Sequence, residues 1–325
     1  MNQSRQSPLA GFFLSLTAAA LWGILPVTLK ELLLAMDAST IVWYRFLVAG
    51  IVLVIWLGVR GNLPRLGSVS KRIRWYLLIA AAGLCSNYFL FSYSLNFVNG
   101  ETAEAVIQLT TLFLILGGVI FYRESFFFIQ KLGTVLIVLG LVLFFNDRWS
   151  VLGDFADQQT IGVVIVVGAA ITWVAYALLQ KRLLSEFSSV QILALIYLFS
   201  MVVLLPFVSP VSLFRLDGLQ LGILLFLCLN TLVAYGCFAE ALNRWDASKV
   251  SAVLALAPLF TIASLKLVVW VNPAYEHSDR LNLLSLLGAL LLVIGSVLTA
   301  LMPLLRRRHG AVPQEKGESA RVTAN

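Results

Sequence analysis

Residues able to do chemistry are few in this 325-residue chain, and most stand singly inside long apolar runs. Trp22, Asn87, Tyr88, Gln108, Trp173, Tyr176, Asn230 and Tyr235 set amide, phenol and indole groups beside aromatic faces. That mixture suits a neutral or zwitterionic solute with an apolar part. Arg45 lies about two helical turns inside its run, where a charge needs water or a partner; Glu31, Glu101 and Glu104 are the carboxylates that could reach it. Pro26 and Pro258 each delete a backbone donor in mid-run, leaving carbonyls free to meet a ligand or to let a helix bend. An enzyme is not indicated: H-E-x-x-H, G-x-S-x-G and P-loop patterns are absent, and His277 and His309 fall outside the apolar runs. Cys85, Cys228 and Cys237 lack metal-ligand spacing and read as small packing residues, so neither metal nor cofactor is expected.

The elements that must position these groups follow from composition. Hydrophobic residues make up 60% of the chain and charged ones 12%, with a mean hydropathy of +0.93. Ten apolar segments stand out, at 11–34, 39–59, 75–98, 102–122, 127–146, 161–183, 189–208, 219–242, 247–271 and 283–302. Each is close to the ~20 residues that cross a ~30 Å hydrocarbon layer as a helix. Barrel strands would be about half as long and alternate in polarity, so the fold expected is an all-α integral membrane protein with ten transmembrane helices. Connections are too short for an extramembrane domain. The first segment is too long for a cleaved export signal and carries Trp22 and Pro26, so it reads as a retained helix.

Basic residues set the expected orientation. With the N-terminus in the cytoplasm, 17 Lys and Arg fall on inner segments and only Arg148, Arg215 and Arg280 on outer ones. Both termini are therefore expected to be cytoplasmic, in a bacterial inner membrane. The net charge of +7 is explained by this asymmetry and by anionic membrane lipid, without a nucleic-acid partner. Lys30, Lys266 and Glu240 sit near span ends and read as snorkelling groups or local ion pairs, Glu240 with Arg244 four residues on.

The two halves repeat. Displaced by 147 residues, the run starting at Leu95 faces the run starting at Leu242, matching Leu95, Asn96, Ala105, Leu109, Leu112 and Phe113 with Leu242, Asn243, Ala252, Leu256, Leu259 and Phe260. Tyr88 then meets Tyr235. Neighbouring registers pair Trp22 with Trp173, and Gly133 and Gly140 with Gly288 and Gly295. The units expected are 1–147 and 148–302, followed by a basic, disordered tail at 303–325. Five spans per unit is odd, so the second copy enters the membrane inverted, a design recurrent in secondary transporters.

Ala20 to Gly23, Tyr44 to Phe46, Leu109 to Phe113 with Arg123 and Glu124, and the glycines of the fifth span resemble the EamA family of the drug/metabolite transporter superfamily over residues 11–302. The resemblance implies ten helices around a central cavity, and an exporter or exchanger of amino acids, other metabolites or drugs. Two positions depart from the family pattern: Thr111 stands where proline is common, as Pro258 does in the second half, and Val271 stands opposite Glu124.

Several residues keep two readings. Repeat-related Trp and Tyr at mid-span either line a wet cavity or pack; Asn87 and Asn230 bond either a solute or a neighbouring helix. Arg45 with one of Glu31, Glu101 or Glu104 forms either an outer gate or a structural bridge. The small-molecule exporter is the function expected, with a lipid or lipid-linked-group flippase as the alternative. Gly218 and Gly222 form a small-xxx-small pair suited to a homodimer contact.

Overall fold

The computed structural model describes residues 7–123, 126–245 and 247–309. Among these residues the chain is helical, without strands. The α-helices are α1 (Pro8–Leu33), α2 (Ala38–Val59), α3 (Lys71–Ser94), α4 (Gly100–Ile107), α5 (Leu109–Tyr122), α6 (Phe128–Phe144), α7 (Trp149–Leu152), α8 (Gln158–Leu183), α9 (Ser189–Leu204), α10 (Gly218–Arg244), α11 (Ala247–Leu254), α12 (Ala257–Val271) and α13 (Leu283–His309). Taking α4 with α5 and α11 with α12, nine spans among the described residues are long and apolar enough to cross a membrane. The fifth expected segment forms α6, an apolar helix of 17 residues. α13 runs to His309, into the segment 303–325 expected to be a tail. Glu124 and residues 310–325 lie outside the described residues.

Short polar connections decide where helices begin. Asp37, Ser70, Asp157, Ser188 and Asp217 each accept a hydrogen bond from a first-turn backbone N–H of the helix that follows, satisfying a donor that hydrocarbon could not. Connections 34–37, 95–99, 205–217 and 272–282, with Arg148, are tied together on one face. We call it the distal face, opposite the start of α1. Away from these ends the chain is a multi-pass membrane protein whose outward surface is aliphatic: Ile51, Val52 and Ile55 on α2, and Val135, Val138, Leu139 and Val142 on α6, are exposed.

Packing follows a pattern of exchange. The most extensive pairs are α6 with α13, α3 with α8, α1 with α10 and α2 with α9. Swapping first-half spans for their second-half counterparts turns the α1 and α10 pair into the α8 and α3 pair, and the α1 and α12 pair into the α8 and α5 pair. It leaves the other two major pairs unchanged. The two interrupted spans also correspond: α4 gives way to α5 at Gln108 and α11 to α12 at Ala255 and Leu256, positions that coincide in the repeat register.

Glycine makes the α6 and α13 crossing possible. A Cβ on Gly133 would stand 2.6 Å from the Gly295 carbonyl oxygen, and one on Gly140 2.8 Å from that of Gly288. Lipid supplies no hydrophobic force between helices, so such backbone approach is where dispersion contacts accumulate. A Cβ on Gly288 would strike the Phe144 backbone nitrogen and stand 2.6 Å from the Gly140 oxygen, whereas at Gly222 it meets nothing within 4 Å. Gly288→Ala is therefore expected to destabilise the protein by about 1–3 kcal/mol and Gly222→Ala to leave it unchanged, read as thermal unfolding in detergent.

Candidate functional site

The inward stripe of α2 carries Ile41, Val42, Arg45, Phe46 and Ala49 at helical spacing. That spacing aims Arg45 into the bundle, and the residue is only 3% exposed. Its Nε donates to Thr231 Oγ1 on α10 at 3.0 Å, and its guanidinium lies 4.7 Å from the ring centre of Tyr88 on α3. Phe46 lies 4.8 Å from Tyr88 and 5.3 Å from Tyr197 on α9, centre to centre. On the α1 side, Asn230 Nδ2 donates to the Leu21 carbonyl at 2.7 Å, and Trp22 packs edge-on to Tyr235 at 5.4 Å and against Phe238 at 5.8 Å. Five helices, α1, α2, α3, α9 and α10, thus converge on one aromatic and polar centre. Two of its buried polar atoms, Tyr197 Oη and Asn230 Oδ1, have no hydrogen-bond partner among the described residues.

Sequence-derived candidates divide between this centre and the surrounding packing. Trp22, Arg45, Tyr88, Asn230 and Tyr235 come together. Trp173 and Tyr176 on α8 pack into the same core as Tyr88, with Tyr176 close against Gly83. Asn87 is spent on a helix contact, donating to the Ala169 carbonyl at 2.9 Å. Gln108, at the break between α4 and α5, accepts from Ser296 of α13 at 3.3 Å. Pro26, inside α1, packs against the start of α4, with its Cβ 3.0 Å from where a Gly100 Cβ would stand. Pro258 opens α12, beside the close approach of α1 at Gly23.

The expected bridge from Arg45 to Glu31, Glu101 or Glu104 is not formed among the described residues. The reason is azimuthal. Arg45 points towards α3 and α10, while α4 packs against α1, α8 and α12. Glu104 is buried without a hydrogen bond or ion pair among the described residues. Sequence reasoning passed over Thr231 and Tyr197; their only signal was a hydroxyl inside an apolar run. Of the proposed local ion pairs, Glu240 with Arg244 is present at 2.6 Å.

A second polar cluster closes the distal face. Asp279 Oδ2 accepts from Thr102 Oγ1 at 2.5 Å and lies 3.4 Å from Arg148 Nη1, while its Oδ1 accepts from Asn99 Nδ2 at 3.2 Å. Glu101 Oε1 accepts from Ser278 at 2.6 Å and lies 3.9 Å from Lys266 Nζ, which also donates to the Asp279 carbonyl at 2.9 Å. Lys30 Nζ donates to the Leu95 carbonyl at 2.5 Å. Nearby, Tyr275 Oη and Glu31 Oε1 are buried without hydrogen-bond partners among the described residues. Burial, and then the Glu31 carboxylate, hold the Tyr275 phenol above its ordinary pKa. The α4 N-terminus is thereby latched to the α12–α13 connection and to Arg148. Glu101 finds its cation in Lys266 of α12 rather than in Arg45 of α2.

Comparison with known proteins agrees with the resemblance read from the sequence. The model of the "EamA-like transporter family" matches twice, over residues 9–146 and 160–301. An "Uncharacterized transporter" of Haemophilus influenzae is 41% identical over 297 residues, covering 91% of this chain and 96% of that one. The "Uncharacterized inner membrane transporter YhbE" of Escherichia coli K12 is 39% identical over 293 residues, covering 90% and 91%. More distant, at 23% identity over 295 residues and coverage of 87% and 92%, is the "Probable amino-acid metabolite efflux pump" of the same organism. A solved crystal structure superposes with a TM-score of 0.60 at 17% identity, covering 91% of this chain and 99% of that chain, which bears on the fold alone. With the family model spanning nearly all of the helical core, this chain belongs to the EamA-like transporter family.

Proposed function

We propose that the chain is an inner-membrane secondary transporter that exports or exchanges small amphipathic metabolites such as amino acids. The observation that carries this reading is the aromatic and polar centre shared by α1, α2, α3, α9 and α10, because it sets hydrogen-bonding groups and ring faces at a depth where pure packing needs neither. Ten crossings in two inverted five-helix units, with both termini cytoplasmic, complete the proposal. Its supports are the exchange-related packing pairs, the family model's two matches and the matched interruptions at Gln108 and Ala255. Discontinuous helices at corresponding positions of two halves are a recurring feature beside transporter sites. The relative named as an amino-acid metabolite efflux pump supports the substrate class from a distance.

In this scheme the latch around Asp279 and Glu101 holds the distal face shut, and exchanging the conformations of the two halves opens it. Gln108 and Pro258 sit at or beside the interruptions where α4 and α12 bend. Gly218 and Gly222, both exposed, face outward on α10, where a second copy would pack.

Two outcomes are expected. In proteoliposomes, radiolabelled amino acids or small aromatic solutes should show saturable flux that Trp22→Ala with Asn230→Ala reduces at least about tenfold, the effect of losing ~1.4 kcal/mol of binding; absence of flux for every solute would favour lipid handling. Spin labels on Ala35 and Ala274 should report a longer and broader distance distribution in Glu101→Gln with Lys266→Ala than in the parent, and an unchanged distribution would remove the latch from the gating scheme.

A further inference from the structure

The guanidinium of Arg45 is buried in the bundle, and among the described residues no carboxylate pairs with it. Among the described residues its hydrogen bonding consists of the single Nε donation to Thr231, and the ring of Tyr88 beneath it supplies quadrupole rather than charge. Groups packed around it from the other elements are phenols and a thiol: Tyr88 on α3, Tyr197 on α9 and Cys228 on α10. Glu101 and Asp279 are committed to the distal latch, and Glu104, on α4, makes no ion pair with Arg45 among the described residues. Burying an unneutralised cation is among the costliest arrangements in hydrocarbon, and helix stripe geometry denies Arg45 the usual escape of snorkelling to the interface. The two terminal nitrogens of the side chain form a planar fork that matches a carboxylate in two parallel hydrogen bonds.

We infer that Arg45 is the anion-recognition residue of the central site, and that the transported solutes carry a carboxylate. This rests on the transport reading and narrows its substrate class. Tyr197 Oη, buried against the Tyr88 phenol and beside the guanidinium, makes no well-formed hydrogen bond among the described residues and can turn its proton to the second lone-pair set of the same carboxylate. Asn230 Oδ1 is a buried acceptor without a partner among the described residues. Neighbouring positions on a helix turn by about 100°, so Thr231 holds Arg45 on the α2 side while Asn230 faces α1. An N–H or O–H donor on the solute satisfies the Asn230 oxygen, and the edge-packed pair of Trp22 and Tyr235 supplies the apolar wall for its side chain. The class described is a small acid with an apolar or aromatic body and a donor close to its carboxylate, as in an α-amino or α-hydroxy acid.

The test is ligand-dependent thermal unfolding of the full-length protein in detergent. L-phenylalanine, 3-phenylpropionate, L-phenylalaninamide and phenethylamine are compared, and the acid and amide forms of leucine and methionine are added to vary the side chain. Free acids are expected to raise the unfolding temperature, and the matching amides and amines are not. Arg45→Gln should weaken acid binding on the order of 100-fold and abolish the preference for acid over amide; Arg45→Lys should keep the preference at lower affinity. Tyr197→Phe, which removes only a hydroxyl, should weaken acids and leave amides unaffected, and it carries the test if Arg45→Gln does not fold. Amides or amines that stabilise as well as acids, an acid preference that survives Arg45→Gln, or no response to any acid would each overturn the inference. Proteoliposome flux separates it from the transport reading: saturable flux of amines or amides in preference to acids retains the transporter and overturns the anion site, whereas acid binding without flux does the reverse.

Discussion

Every polar group inside hydrocarbon must find its partner within the protein, and most of this structure follows from that requirement. Helices satisfy their own backbones, so the spans are helical. Capping side chains satisfy the ends, so spans begin at Asp37, Ser70, Asp157, Ser188 and Asp217. Between helices, where lipid offers no hydrophobic drive, adhesion comes from close contact and interhelical hydrogen bonds. The first is seen in the backbone approach at Gly133, Gly140, Gly288 and Gly295. The second is seen where Asn87 bonds to Ala169, Asn230 to Leu21 and Thr261 to Gly23, each a polar side chain spent on a carbonyl of a neighbouring helix.

Against that background the exceptions are informative. An arginine near the middle of a membrane helix is disfavoured by about 2.5–3.5 kcal/mol even on lenient insertion scales, yet among the described residues Arg45 is buried with a single hydrogen bond, to Thr231, and the ring of Tyr88 against its guanidinium. Such a cost persists where the missing partner arrives with function. The distal cluster obeys the opposite rule, since Asp279 collects two neutral donors and a cation around one carboxylate.

Much of this was legible in the sequence, and the limits have a physical cause. Hydropathy locates the spans, and the repeat register pairs the glycines of α6 with those of α13, which meet in the fold. Mid-span polarity singled out Trp22, Tyr88, Asn230 and Tyr235 among other candidates, and the fold brings these four together. Sequence gives depth along a helix but not the neighbour that its stripe faces, so Arg45 was assigned the acids at its own level and instead meets Thr231 and Tyr88. For the same reason Asn87, equal in depth to Tyr88, bonds α8, and of the two readings of Lys266, snorkelling or a local ion pair, the fold shows the pair, with Glu101 as the partner. Thr231 and Tyr197 carried no signal stronger than their hydroxyls, because their importance lies in what packs across from them.

The central claim is that a polar centre lies between the two halves and is sealed from the distal side by the Asp279 latch. Cys228 reports on it directly, standing about one turn before Thr231 on α10 and being only 3% exposed. With Cys85 and Cys237 replaced by serine, a membrane-impermeant maleimide applied from the distal side measures its accessibility. Slow labelling in the parent and labelling accelerated at least about tenfold by Asp279→Ala, in protein that stays folded by thermal unfolding, is the predicted result. Equal rates with and without the latch would contradict the claim, because the centre would then be reached by another path or not reached from that side at all.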